Sequence, residues 1–389
     1  MTRTEQVATV TRLNDQSGAF AAHAVLPEDT DAGDAAPLPP KPARPHERYR
    51  VSVQEYITLH QQGFLVVRGL VPPDDVQELV EHSEDLLYGR VAVPGLEPPP
   101  PGATPQEIER RYLTLAMLHR ALEIHERFLL HPRILDVLQA LIGPDVMAVQ
   151  SIFFLKPPGG KGQGYHQDSY YIPTMPDTLC AAWLAVDRAD EENGCLWITP
   201  GSQNEPIYPT VGRETAVHGD ALDDLSVIEN PSHTDERVNT LARVAAKYAE
   251  REVAVPVEPG DVIFFQGHIL HRSHGNHTQT RFRRSFVGHY ANARSFTLWD
   301  YGRWNARAGE YDPEGANYRH ILARGSTHLP FGQPRFGTAC AANTPELRGP
   351  AVASDAASLM ANMADGDMVA TAPMDMTRND AHTHDDHEE

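Results

Sequence analysis

The chain has 389 residues, 41% of them hydrophobic, enough to bury a sizeable core in one large domain or two average ones. A formal charge of −20, with no stripe of Lys and Arg interleaved with aromatics, argues against nucleic acid as a partner. Three cysteines, Cys180, Cys195 and Cys340, form neither a disulfide framework nor CxxC pairs, and no run of eighteen apolar residues occurs, so a cytoplasmic protein without a membrane segment is expected.

Residues 1–48 are rich in Ala, Pro, Asp and Thr without an apolar period, and are expected to be a disordered arm. The domain proper is expected over 49–345. It opens with a helix at Val53–Gln61, an apolar strand at Gly63–Val67 and a helix started by Pro72-Pro73-Asp74-Asp75. A Pro/Gly loop follows at 93–105, and apolar spacing from Leu113 to Leu141 predicts helix across 107–142.

The pattern then changes. Short β-rich runs at Val146–Leu155, Leu179–Ala185, Leu196–Thr199, Val253–Val257, Val262–Phe265 and Phe282–Tyr290, bounded by turn residues, predict an all-β sandwich or barrel flanked by the earlier helices. A polar, partly helical insertion at 208–247 interrupts these strands, as a lid or substrate loop would. From 346 onward an acidic tail containing His and Met is expected to be disordered, the cluster His382, His384 and His387 being a solvated run.

The chemistry centres on Tyr165-His166-Gln167-Asp168. In extended chain, residues i and i+2 point the same way, so one imidazole and one carboxylate can converge on an ion while Gln167 faces elsewhere. His-x-Asp occurs four times, at His166, His218, His233 and His384, and only His166 is followed by an aromatic run read as strand, Tyr170-Tyr171-Ile172. A third ligand comes from the strand after Val262–Phe265, where His271 faces one way and His268 and His274 the other. Two nitrogens and one carboxylate on one face of an octahedron suit Fe(II) that must also bind a bidentate co-substrate and O2. Arg281 and Arg283 follow, expected to share a face, and either could hold a distal carboxylate.

These residues, with Glu192-Asn193-Gly194-Cys195-Leu196 through Pro200-Gly201-Ser202, resemble the phytanoyl-CoA dioxygenase family from about Tyr56 to Tyr290. The resemblance implies a mainly β fold with flanking helices, a double-stranded β-helix of the jelly-roll, cupin-like kind. It implies iron ligands His166, Asp168 and His271, with Gln167, Trp183 and an arginine around 2-oxoglutarate; aligning Phe282–Phe286 with the family strand selects Arg283, with Arg281 left open. Blander readings stand beside these: Trp183 as core, and Gln167 as a backbone hydrogen-bond partner. Arg272 replaces the family's usual Gly and points either into the pocket or to solvent.

The implied activity is hydroxylation of a C–H bond in a small-molecule substrate, with release of succinate and CO2. The alternatives are a cupin-like metalloenzyme that does not use 2-oxoglutarate and a non-catalytic small-molecule-binding protein. Substrate and oligomeric state are left open by the sequence.

Overall fold

A computed structural model of the protein describes residues 37–93, 96–210, 218, 222–297 and 320–349, with the backbone of three further strands. Those strands are β1 (Ala22–Val25), β14 (Trp304–Asn305) and β15 (Glu310–Tyr311). In α1 (Val53–Gln62), the Ser52 side chain accepts from the Glu55 N–H and the Glu55 side chain returns a bond to Ser52, a capping box that fixes the helix start. Strand β2 (Phe64–Val67) follows directly, and α2 (Pro73–Leu87) begins with Pro at its first position, where no N–H is needed.

Between 107 and 142 the expectation of continuous helix is overturned. Short α3 (Pro105–Glu109) gives way to β3 (Tyr112–Ala116), and only then come α4 (Glu123–Leu129) and α5 (Pro132–Leu141). The reason is non-local: Thr114, Leu115 and Ala116 pair with Phe154, Phe153 and Ile152 of the long β4 (Val146–Lys156). Sheet pairing outweighs the local apolar spacing there.

The remaining strands are β5 (Gln163–His166), β6 (Thr174–Met175), β7 (Cys180–Ala185), β8 (Leu196–Ile198), β9 (Val253–Val255), β10 (Val262–Gln266), β11 (His271–Ser273), β12 (Arg283–Asn292), β13 (Phe296–Thr297) and β16 (Ile321–Arg324). They build an eight-stranded sheet in the order β1-β3-β4-β12-β7-β10-β2, with β16 on β4, and a four-stranded sheet, β5-β11-β8-β9. Strand β6 pairs with β13, and β14 with β15.

Alternation sets the two faces of the large sheet. Ala182, Leu184, Val262, Phe264 and Phe286 join Leu79 of α2, Phe128 of α4 and Leu138 of α5 in one core. The opposite residues, Ala181, Trp183, Ile263, Phe265 and Val287, meet Leu196 and Ile198 of the small sheet, and Cys195 just before it, in a second. Burying each such Val, Leu, Ile or Phe stabilises by about 1.5–3 kcal/mol. The result is the expected double-stranded β-helix, helices covering one face and the small sheet the other.

Residues 37–48, expected in the disordered arm, instead run along the domain. The Leu38 and Lys41 N–H groups donate to Arg335 O and Gly337 O at 3.0 and 2.7 Å, and His46 Nε2 lies 3.0 Å from Asp136 Oδ2. A Pro-rich segment without its own hydrogen bonds is satisfied here by the body. The acidic tail and its histidines lie outside the described residues, apart from the turn Pro345–Leu347 and its neighbours up to 349. No helix among the described residues is long and apolar enough to cross a membrane.

Candidate metal centre and the pocket behind it

Strands β5 and β11 pair antiparallel with His166 directly opposite His271, which brings the two rings to 4.1 Å between centroids. Cross-strand neighbours on one face are the closest side chains a sheet can offer. Gln167 is extended, so Asp168 falls on the same side as His166, although it already belongs to a helical turn, α6 (Asp168–Tyr171). The run Tyr170-Tyr171 is therefore not the strand expected from its aromatic character. It still lies beside the site, the Tyr171 ring standing edge-on to His166 at 6.4 Å.

Each imidazole is oriented by its own strand. His166 Nδ1 lies 2.9 Å from Gly164 O and His271 Nδ1 3.1 Å from Ile269 O, so each Nδ1–H donates to a carbonyl and leaves an Nε2 lone pair free. Both Nε2 atoms lie 3.7 Å from Asp168 Oδ1. All three ligand atoms fall within 4.8 Å of one another, and all three residues are buried. Burial, reinforced by His271, pushes His166 down to about 3, which keeps its ring neutral. Burial would raise the Asp168 carboxyl, but His271, His289 and His166 pull it well below the usual carboxylate range. Two imidazole nitrogens and one carboxylate oxygen match the donor set of a 2-His-1-carboxylate iron site.

His289 was not visible as a site residue in the sequence. On β12 it reaches the other carboxylate oxygen, its Nε2 3.1 Å from Asp168 Oδ2, and so leaves Oδ1 to face the two histidines. The signal was its parity with Arg283 on the same strand, six residues earlier. That face also carries Ser285 and Val287.

Arg283 lies at the far end of that face, 3% exposed and set against Trp183 at 5.5 Å and Phe154 at 5.9 Å from the ring centroids. Its Nε donates to Gly194 O at 3.1 Å and Nη1 to Ser285 Oγ at 3.0 Å, and no carboxylate pairs with it among the described residues. Burial lowers this guanidinium to about 10. Arg281 does not share that environment. It precedes the strand, and its two Nη groups grip Asp190 at 2.7 and 3.0 Å and Glu192 at 2.8 Å near the surface.

Other expectations sort in the same way. Gln167 turns away from the triad and donates to Pro206 O and His268 O, the plainer of its two readings. His268 pairs with Asp177, and His218 accepts from the Ile207 N–H, both away from the triad. Arg272 points out of the pocket, over the Tyr165 ring at 4.4 Å and onto Glu252 and Glu236. The insertion closes the free edge of β5: Gly164 N–H donates to Ser232 O and Ser232 N–H to Tyr165 O, both at 2.9 Å, while buried Asn239 donates to Tyr165 O. Residues 211–217 and 219–221 of it lie outside the described residues.

The chain is 27% identical over 260 residues to the peroxisomal phytanoyl-CoA dioxygenase of Rattus norvegicus, covering 62% of this chain and 69% of that protein. Against the Homo sapiens protein of the same name it is 26% identical over 254 residues, covering 60% and 66%. Among solved structures, that of EctD from S. alaskensis with 2-oxoglutarate and 5-hydroxyectoine superposes with a TM-score of 0.49 at 21% identity, over 83% of this chain and 98% of that one. The sequence profile of the phytanoyl-CoA dioxygenase family matches residues 59–285, more than half of the chain. The chain therefore belongs to the phytanoyl-CoA dioxygenase family of non-haem oxygenases that use Fe(II), 2-oxoglutarate and O2.

Proposed function

We propose that His166, Asp168 and His271 hold the iron, that Arg283 binds the distal carboxylate of 2-oxoglutarate against Trp183, and that the enzyme hydroxylates a C–H bond of a small molecule. The overall reaction takes substrate, 2-oxoglutarate and O2 to hydroxylated product, succinate and CO2. One observation carries the reading: two Nε2 lone pairs and one carboxylate oxygen face a common point while, on the same interior face of the barrel, a buried guanidinium has no counter-ion among the described residues. When bound, the iron supplies the oxidising power for the C–H step. The chain's own residues hold and shield.

The Gly164 and Ile269 carbonyls fix the tautomer of the two histidines, and His289 keeps Asp168 ionised and turned so that one oxygen is available. Trp183 and Phe154 make the wall beside Arg283 apolar, which strengthens a charge-assisted bond there and keeps water out. Asp168 retains the carboxylate whose loss would open a site for halide, which favours hydroxylation over halogenation. Succinate release measured with Fe(II) and 2-oxoglutarate for the wild type and for His166→Ala tests the assignment. Activity is expected to vanish in the variant, and unchanged turnover would refute it.

A further inference from the structure

Lys156 is a second buried basic side chain that neither the site nor the core accounts for, and burial together with the facing Arg283 pushes its amine well below the ordinary lysine value, so that it is fully charged only when an anion joins it. It closes β4 directly opposite Arg283 in the β4–β12 ladder, so both side chains stand on the same face. It is 5% exposed. Its Nζ donates to His274 O at 2.6 Å, Ser273 Oγ at 3.0 Å and Gly194 O at 3.4 Å, and Gly194 O is also the acceptor for Arg283 Nε. Neither cation has a carboxylate partner among the described residues, whereas Arg281, Arg284 and Arg272 nearby each have one. Like charges directly opposite across a strand pair destabilise it, and buried charge without a counter-ion costs still more. Two basic groups that face each other with only neutral acceptors are suited to take up an anion between them.

We propose that Lys156 is a specificity residue for the co-substrate: its ammonium, behind Arg283, makes the end of the barrel select 2-oxo acids that carry a second carboxylate. The inference rests on the reading of Arg283 given above. Arg283 can hydrogen-bond the carboxylate, while Lys156, its donors directed at Ser273 Oγ and two carbonyls, acts at short range through its field and by holding Ser273 and Gly194 in place. Lys156 is thus a positioning residue, and a purely structural clamp would differ from it in one measurable respect.

The test is isothermal titration of the full-length Fe(II)-loaded protein under nitrogen with 2-oxoglutarate and with 2-oxopentanoate, which has a methyl group where the distal carboxylate stands. A unit charge at several ångströms in a partly desolvated site is worth roughly 10- to 100-fold in affinity. Lys156→Met and Lys156→Gln should each lower the wild-type preference for the dicarboxylate by about that factor, and Lys156→Arg should keep it within about threefold. Lys156→Gln keeps a donor for His274 O and carries the test if the Met variant does not fold. Unfolding temperatures are measured alongside. A lowered unfolding temperature with an unchanged preference ratio would overturn the proposal and make Lys156 a clamp. A wild type without preference for the dicarboxylate would instead overturn the reading of Arg283 itself.

Discussion

Replacing Arg283 by Met should strip the protein of 2-oxoglutarate affinity without weakening the fold. The guanidinium offers five N–H groups, of which one goes to Gly194 O and one to Ser285 Oγ, leaving a fork for a ligand. Two charge-assisted bonds to a carboxylate contribute about 1.5–3 kcal/mol each before the cost of desolvating the ligand. A net loss of about 3–4 kcal/mol, at 1.4 kcal/mol per tenfold, raises Kd roughly 100- to 1,000-fold. On the stability side, two lost hydrogen bonds cost about 2 kcal/mol. Relief of a buried, unpaired cation facing Lys156 returns a similar amount.

Titration calorimetry for affinity and scanning calorimetry for the unfolding temperature read the two quantities separately. Arg281→Met is the control. It loses a surface cluster with Asp190 and Glu192, should cost less than about 1 kcal/mol, and should leave affinity untouched. An Arg283→Met protein that keeps its affinity within about threefold would refute the assignment of the distal carboxylate.

Three further outcomes follow from the geometry. His289→Leu should weaken Fe(II) binding by roughly 10- to 100-fold, with partial recovery in His289→Gln, as competition with a fluorescent chelator would show; equal affinity in all three proteins would remove His289 from the site. Gly164→Ala would place a Cβ 1.9 Å from His233 O, so the insertion must separate from β5; the unfolding temperature should fall and metal affinity with it, and a variant that behaves as wild type would deny that the insertion braces His166. Burial lowers His82 to about 4 and His125 well below its ordinary value, so below about pH 6.5 the unfolded chain binds more protons than the folded one and stability falls as pH drops. For His82 alone the loss between pH 7.5 and 5.5 is about 1–2 kcal/mol, measurable as a shift in urea midpoint that His82→Gln should reduce.

Strands β2, β4, β7, β10 and β12 of the large sheet were legible because they are apolar and punctuated, and α1 and α2 because their caps are written locally in Ser52, Glu55 and Pro73. β3 was not, since Leu113, Leu115 and Leu118 fit a helix well enough until β4 offers them a partner. That His166, Asp168 and His271 come together was legible in the spacing of the first two and in the β run before the third. The sequence did not show that Tyr170 and Tyr171 belong to a helical turn, because α6 is set by the hydrogen bond from Ile172 N–H to Asp168 O and by Gly267 O accepting from Ser169. His289 was missed for a related reason. It pairs with Asp168 across 121 residues, a contact that no local pattern encodes.

The arginines show most clearly what the fold adds. Arg281, Arg283 and Arg284 stand within four residues, chemically alike, and spacing alone cannot separate them. Strand β12 begins at Arg283, so Arg281 lies before it and turns to Asp190, while Arg284 takes the opposite face and is held bidentately by Asp187 at 2.7 Å. Each of these two is neutralised by a carboxylate, and only Arg283 is turned into the barrel without one among the described residues. A register slip of one residue would exchange Arg283 and His289 for Arg284 and Tyr290 and destroy both ends of the site together. Register in β12 is fixed by ten paired positions on β4 and six on β7, so the same ladder that builds the core also decides which arginine is turned into the barrel.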